Sequence, residues 1–410
     1  MRILKISKDY YPDKTGIAVT STEVAEWFAA KGHDVTVVAA LPFYPEWRIR
    51  EDYKHGQKRS ELINKVQVIR TFLYVPKRPN VFSRLLHELS FTLDALKKSL
   101  FVKRPDVIIV ISPPLFAGLI GIVLKVRFRA KLLVNIKDLV PDAATELNML
   151  RNPLMIRGLL QIEKFVYTHA DKIASLGKGV LRRIEQKGVA RKKLVYLPDT
   201  ADPMLVVADF RPRIDNAFLE RNKIFDEFII LHSGNMGVKQ GIDVIIRCAY
   251  ILKEYHLLFL IVGNGSEKQR MVDLAKSYNL GNVRFLPLQP RDLLADMYHA
   301  ADINLLTQKK EVVDIVVPSK LISMMAAGSC IIASVAPNSE AASIMFEADC
   351  GRVVTPEDPE ELSEAILYYF HNPHLISQKR KKSKGYASEH YKQDKIMSKY
   401  ESVLNDLSIS

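Results

Sequence analysis

The sequence predicts an α/β protein of two parallel-sheet halves, and three observations carry that expectation. Short apolar runs alternate with amphipathic helical stretches from the first residues on. The alternation breaks at the Asp- and Pro-rich segment 198–212 and restarts at residue 228. A chain of 410 residues with 48% hydrophobic side chains is too long for one ordinary core and ample for two domains of roughly 200 residues each. The boundary is placed between residues 205 and 206, giving domains 1–205 and 206–387.

In the first half, residues 2–7 form a strand and 20–31 a helix, with Val24, Ala25, Phe28 and Ala29 on one face. Gly32 caps that helix before the strand 34–40. The loop 10–17 between the first strand and helix lies at a strand's carboxyl end, where open α/β sheets bind ligands, and Gly16 is its candidate residue. Strands follow at 66–73 and at 107–111, the latter wholly apolar as in a buried parallel sheet. Strand 131–136 leads into the polar loop 137–142, which puts Asp138 and Asp142 where chemistry can occur. Asp142 can equally cap the next helix. Segments 171–176 and 193–197 complete this half.

Between them, residues 80–102 place Val81, Phe82, Leu85, Leu86, Leu89, Leu93, Leu96 and Leu100 at helical spacing, with Arg84, Lys97, Lys98, Lys103 and Arg104 at the rim. Such a helix suits an anionic membrane surface, and it equally suits packing on its own core. In the second half, strands are expected at 228–232, 257–262, 283–285, 303–306 and 329–334, with helices at 242–254, 267–278, 291–300 and from 318 to 328.

The stretch 229–246 ends an apolar strand at His232-Ser233, turns through Gly234, Gly237 and Gly241 with Lys239 between them, and opens a helix. Glycines allow sharp turning and close approach, and helix N–H groups with a lysine can hold a diphosphate. The spacing matches neither common nucleotide-binding fingerprint, so a plain tight turn stays open beside the anion site. Lys plus Arg outnumber Asp plus Glu by 59 to 46, which favours anionic partners without choosing among nucleic acid, lipid and phosphorylated metabolite. The basic run 379–384 reads as a solvated helix face or linker. Cys248, Cys330 and Cys350 lack metal-ligand spacing and read as buried thiols of a reducing compartment. No signal peptide is expected, because residues 1–7 lack the run of about seven or more apolar residues of a signal h-region, and no transmembrane helix is expected, because Ser112-Pro113-Pro114 and Lys125 interrupt the longest apolar stretches.

Five stretches then fall in order: His-Ser-Gly-Asn-Met-Gly from His232 to Gly237 with Gly241, Val262-Gly-Asn-Gly265, Val283-Arg-Phe285 with Pro287, Ala300-Ala-Asp302, and Pro318-Ser-Lys-Leu321 running to Gly328. Together they resemble the second domain of the retaining glycosyltransferases of family 4. The loop 10–16, the run Gly32–Val38 and the run Asp106–Pro114 resemble the first domain more loosely. Within the family the chain looks most like bacterial surface-polysaccharide enzymes of the fucosyl- and fucosaminyl-transfer type. The resemblance implies the GT-B fold, two Rossmann-like domains facing a central cleft, with a C-terminal helix at 388–410 crossing back onto the first. It implies transfer with retention from a nucleotide-diphosphate sugar, a UDP-sugar such as UDP-N-acetylfucosamine favoured. The acceptor would be a polyprenyl-diphosphate-linked saccharide in capsule, O-antigen or exopolysaccharide synthesis, bound by the first domain.

By that resemblance the catalytic residues are Asp138, Lys239 and Lys320. The donor would touch Gly16, His232, Ser233, Gly234, Asn235, Met236, Gly237, Gly263, Asn264, Gly265, Pro318, Ser319, Leu321 and Ser323. No metal or other cofactor is expected, and no nucleic-acid partner. The protein would sit in the cytoplasm, held to the inner face of the membrane through 80–104. The departures concern the donor. Asn235 stands where the family commonly has arginine, and Lys239 falls one place early. The family's two glutamates are replaced by Ile315 and Ser323, with Glu311, Asp314 or Ser319 as substitutes. Two other classes remain at this point, a UDP-sugar 2-epimerase and an anion-binding protein without catalysis.

Overall fold

The computed structural model describes residues 1–13, 16–44, 46–54, 59–76, 81–146, 150, 152–208, 213–313 and 319–409. Pro318, Asp314 and Ile315 therefore lie outside the described residues. Two compact units result, one of residues 1–198 and 396–409, the other of 199–313 and 319–395.

The first unit opens with β1 (Arg2–Ile6), α1 (Ile17–Ala30), β2 (Asp34–Ala40), α2 (Glu51–Lys54), β3 (Ser60–Ile63), β4 (Val66–Thr71), α3 (Val81–Ser99) and β5 (Val107–Ser112). It continues with α4 (Ala117–Phe128), β6 (Lys131–Ile136), α5 (Val140–Glu146), α6 (Pro153–His169), β7 (Lys172–Ser175), α7 (Lys178–Gln186) and β8 (Leu194–Tyr196). Among the described residues the sheet runs β3-β4-β2-β1-β5-β6-β7-β8, parallel except for the β3–β4 pair. The wholly buried β5 is the apolar strand expected at the centre of such a sheet. β3 was not expected; its alternating half-exposed residues mark an edge strand with little apolar signal.

The second unit holds α8 (Pro203–Val207), α9 (Ala217–Asn222), β9 (Phe228–Asn235), α10 (Asp243–Ile251), β10 (Leu257–Asn264), α11 (Lys268–Ser277), β11 (Val283–Leu286) and α12 (Leu294–Ala300). Then come β12 (Ile303–Thr307), α13 (Ser319–Ala326), β13 (Ile331–Ser334), α14 (Glu340–Ala348), β14 (Gly351–Val354), α15 (Pro359–His371) and α16 (Pro373–His390). The described strands order as β11-β10-β9-β12-β13-β14, all parallel.

The units divide at 198–199, upstream of the expected 205–206. The reason is packing: Ala201 and Leu205 are buried in the second unit's core, and Asp202 pairs with Arg291 at 2.9 Å. Helix α17 (Gln393–Ile409) joins the first unit from residue 396 rather than 388. Its Ile396, Met397, Tyr400, Leu404 and Leu407 fill that unit's core, and the Asn135 amide donates to the Tyr400 hydroxyl at 2.6 Å. The basic run 379–384 belongs to α16 and is no linker: Lys379 and Lys382 pair with Asp349, and Arg380 and Lys384 donate to the carbonyls of Ala301 and Ala208. All three cysteines are buried free thiols, as expected. Among the described residues no helix is long and apolar enough to cross a membrane.

Candidate active site

In both sheets the chain builds outward from one strand and then returns to build on its other side. The reversals fall between β1 and β5 and between β9 and β12, and the carboxyl ends of such strands form a crevice for ligands. Gly16 and Asp138 in the first unit and the glycines ending β9 and β10 in the second lie along these edges.

In the second unit, β9 is apolar and buried until it ends in His232, Ser233, Gly234 and Asn235. It pairs in register with β10, so Gly234 lies beside Gly263 and Asn235 beside Asn264. The backbones pass too closely for side chains. A Cβ on Gly263 would sit 1.9 Å from the Gly234 carbonyl oxygen, and one on Gly265 would sit 2.4 Å from that of Met236. The Met236 N–H donates to the Asn264 carbonyl at 2.8 Å, and the Glu267 N–H donates to the Met236 carbonyl at 2.9 Å. Met236 itself is buried in the core and anchors the turn. The Gln240 side-chain oxygen accepts from the Gly237 N–H at 3.1 Å. A short 3-10 turn, Val238–Gln240, precedes α10 and presents a half-buried Lys239. That turn is pinned by the Lys309 N–H, which donates to the Lys239 carbonyl at 3.0 Å.

Lys320 enters from the first turn of α13. Part of its stem is exposed, but its ammonium is buried and has no hydrogen-bond partner among the described residues. Burial brings its pKa down from the usual lysine value to about 7. His232 is also buried, with neither ring nitrogen in a normal hydrogen bond among the described residues. Burial first, and the Lys320 charge second, hold its imidazole well below the ordinary histidine range. A desolvated cation without a counter-charge costs free energy that an arriving anion would recover. Beside them the Ser233 hydroxyl donates to the Tyr298 hydroxyl at 3.3 Å.

The other expected residues divide by environment. Asn264 is exposed and its side chain accepts from the Gly265 N–H at 3.0 Å. Ser319 is exposed and Ser323 half-buried on α13, whereas Leu321 is wholly inside the core and packs there rather than lining a ligand surface. Two lysines went unremarked in the sequence. Lys268 donates to the Gly263 carbonyl at 3.2 Å, and Lys309 lies against Gly241. Both fall outside the recognised motifs, which is why spacing did not find them.

In the first unit, Gly16 is the exposed residue preceding α1, with φ +58. Asp138 is half-buried just past β6, at the carboxyl edge. Asp142 is not the cap of α5 but lies inside its first turn, where its carboxylate holds Lys187 at 2.5 Å and Arg183 at 3.7 Å.

Two such parallel-sheet α/β units, the second with glycine-pinched loops at its reversal point, are the architecture of the GT-B glycosyltransferases. Residues 215–390 match the family described as glycosyl transferases group 1, and residues 15–200 match the glycosyl transferase 4-like domain. The chain belongs to the family 4 glycosyltransferases of the bacterial surface-polysaccharide type. It is 32% identical over 338 residues to WcaI of Escherichia coli strain K12, named as a colanic acid biosynthesis glycosyl transferase, spanning 80% of this chain and 82% of that one. It superposes on sucrose-phosphate synthase of Thermosynechococcus elongatus with TM-score 0.79 at 18% identity, covering 99% and 98% of the two chains. With HepE of Anabaena, solved in complex with UDP, the TM-score is 0.74 at 14% identity, covering 99% of this chain and 100% of that one. These last two likenesses establish the fold.

Proposed function

We propose that the protein transfers a sugar, with retention, from a nucleotide-diphosphate sugar to a lipid-linked saccharide in surface-polysaccharide synthesis. The observation that carries this reading is the buried ammonium of Lys320, without a hydrogen-bond partner among the described residues, in the same unit as the glycine-pinched loops after β9 and β10. The UDP held by HepE favours a UDP-sugar, and the name of WcaI favours a polysaccharide product.

Chemistry of this kind needs the departing diphosphate neutralised, the acceptor hydroxyl held beside the anomeric carbon, and water excluded. Lys320 and Lys239, with the backbone of Gly234–Gly237, meet the first need; lysine charge there does the work a metal ion does elsewhere. His232, kept neutral, adds no second charge but can hydrogen-bond the donor. Asp138 orients or deprotonates the acceptor, or stabilises positive charge on the sugar. The bond from anomeric carbon to diphosphate oxygen breaks, that to the acceptor oxygen forms, and the hydroxyl proton leaves to a base. A thermal-shift panel of UDP-, GDP- and dTDP-sugars identifies the donor. Normal binding and turnover of that donor by both Lys239→Ala and Lys320→Ala would make the assignment wrong.

For the acceptor, the reading places α3 at a membrane. Its inward residues Phe91 and Ala95 are buried, while Phe82 and Leu93 stand 75% and 68% exposed on its outer face, with Leu86 between them. Arg84 and Lys97 are exposed on the same helix. An apolar stripe with basic neighbours suits an anionic bilayer surface. Flotation with anionic liposomes checks it: Phe82→Glu with Leu93→Glu is expected to stay in solution, and unchanged flotation of this folded variant removes the idea.

A further inference from the structure

The amino edge of the first sheet carries a second basic site. A cavity of about 500 Å³ opens where α6 ends and β7 and β8 begin, lined by Lys125, Lys172, Lys192, Lys193, His169 and Asp171. Their backbone positions converge because parallel strands return their preceding loops to one edge: Lys125 closes α4, His169 ends α6, Lys172 opens β7, and Lys192 and Lys193 lead into β8. Three of the ammonium groups are held in place by main-chain carbonyls. Lys125 donates to His169 at 2.9 Å, Lys172 to Lys192 at 2.8 Å, and Lys193 to Thr168 at 2.7 Å. Each of these bonds uses one of three N–H donors. The Lys192 ammonium has no hydrogen bond or ion pair among the described residues.

Four ammonium groups thus face one carboxylate. Asp171 is already shared, pairing with Lys125 at 2.8 Å and accepting from the Leu132 N–H at 2.8 Å. A concave surface with this excess of like charge is a site for a multivalent oxyanion. It lies at the opposite end of the strands from Gly16 and Asp138, on the order of 20 Å away for six-residue strands, so it is no part of the transfer site. Its surroundings select the source of the anion. Val123 and Val126 of α4 and Phe165 of α6 are exposed on the helices that build the cavity, and the Phe165 ring lies 4.2 Å from that of His169.

We propose that this cavity binds phosphate, and that it takes it from the headgroup of an anionic phospholipid, with Val126 and Phe165 entering the interfacial layer beside it. The proposal rests on the membrane reading of α3 above. The test is co-sedimentation of the full chain with phosphatidylcholine vesicles, with and without phosphatidylglycerol. Lys172→Gln with Lys192→Gln is expected to lower partitioning onto the anionic vesicles roughly tenfold to thirtyfold. Lys253→Gln with Lys276→Gln removes the same charge from exposed sites on the second unit and is expected to change it less than about threefold. Equal losses in the two pairs overturn the cavity as the site. Should the first pair fold poorly, Lys192→Gln alone, on an exposed side chain, is expected to cost about fivefold, and no loss overturns the proposal. Wild-type protein that binds inorganic phosphate in dialysis, yet shows no preference for phosphatidylglycerol, overturns the lipid as source. Loss of flotation in Phe82→Glu with Leu93→Glu, with full binding in the Lys172 and Lys192 pair, overturns the cavity and leaves the α3 reading standing.

Discussion

Arg70 in the first unit and Lys320 in the second are both cations taken out of water, and their surroundings differ. Arg70 is 1% exposed; it donates to Glu61 at 2.8 Å, to the Tyr11 carbonyl at 2.6 Å and to the Ala40 carbonyl at 3.5 Å. It ties edge strand β3 and the loop after β1 to the sheet. The Lys320 ammonium has no hydrogen-bond partner among the described residues. A buried charge that is fully hydrogen-bonded holds structure together, whereas one left without a partner destabilises the resting protein and waits for a ligand. Partner inventory therefore separates scaffold from site where residue type does not.

The largest expected effect breaks the scaffold side of this contrast. Arg70→Met takes the guanidinium from the Tyr11 and Ala40 carbonyls and from the Glu61 carboxylate, which keeps the Tyr53 hydroxyl at 3.1 Å, and is expected to cost about 3 kcal/mol of stability, read by chemical denaturation. The site side should behave oppositely. Lys320→Met removes a buried charge that has no hydrogen-bond partner among the described residues, so melting temperature is expected to rise while affinity for the nucleotide-diphosphate donor falls about a hundredfold, close to 3 kcal/mol. A fall in both would put Lys320 with Arg70 as a structural cation.

Gly263→Ala forces a methyl group onto the Gly234 carbonyl and is expected to cost about 1–3 kcal/mol, with donor binding lost in proportion. A smaller effect follows from the Lys320 pKa of about 7. The unfolded lysine keeps its proton to about 10.4 and the folded one releases it above about 7. In that window the unfolded state binds more protons, so apo stability rises with pH. A bound diphosphate restores the proton, so donor affinity is expected to weaken by up to about tenfold per pH unit above 7, and this slope should vanish in Lys320→Arg. Isothermal calorimetry in buffers of different ionisation heat reads the proton uptake directly. The smallest change is expected from Lys239→Ala: its side chain is half-exposed, and a screened cation of that kind contributes about 1 kcal/mol.

Much of the scaffold was legible because it depends on local pattern. Strands β2 and β6 begin and end where apolar alternation says they should, at Asp34–Ala40 and Lys131–Ile136. The amphipathic α3 was legible as a helix, but which of its apolar residues face outward was not, since Phe91 and Phe82 look alike until the sheet takes one of them. Asp142 shows the same limit. Beside a strand end it reads as a cap or a catalytic acid, and only α7, which brings Lys187 to it, makes it half of an ion pair.

The sequence by itself determined the two α/β units, the glycine positions at the ends of β9 and β10, and the family, because periodicity and spacing are carried by neighbouring residues. Tertiary structure decided that Ala201 and Leu205 belong to the second unit, that α17 completes the first unit's core from residue 396, and that the Lys320 ammonium is buried without a hydrogen-bond partner among the described residues. Burial and partner identity are set by segments far apart in the chain, and no local window contains them.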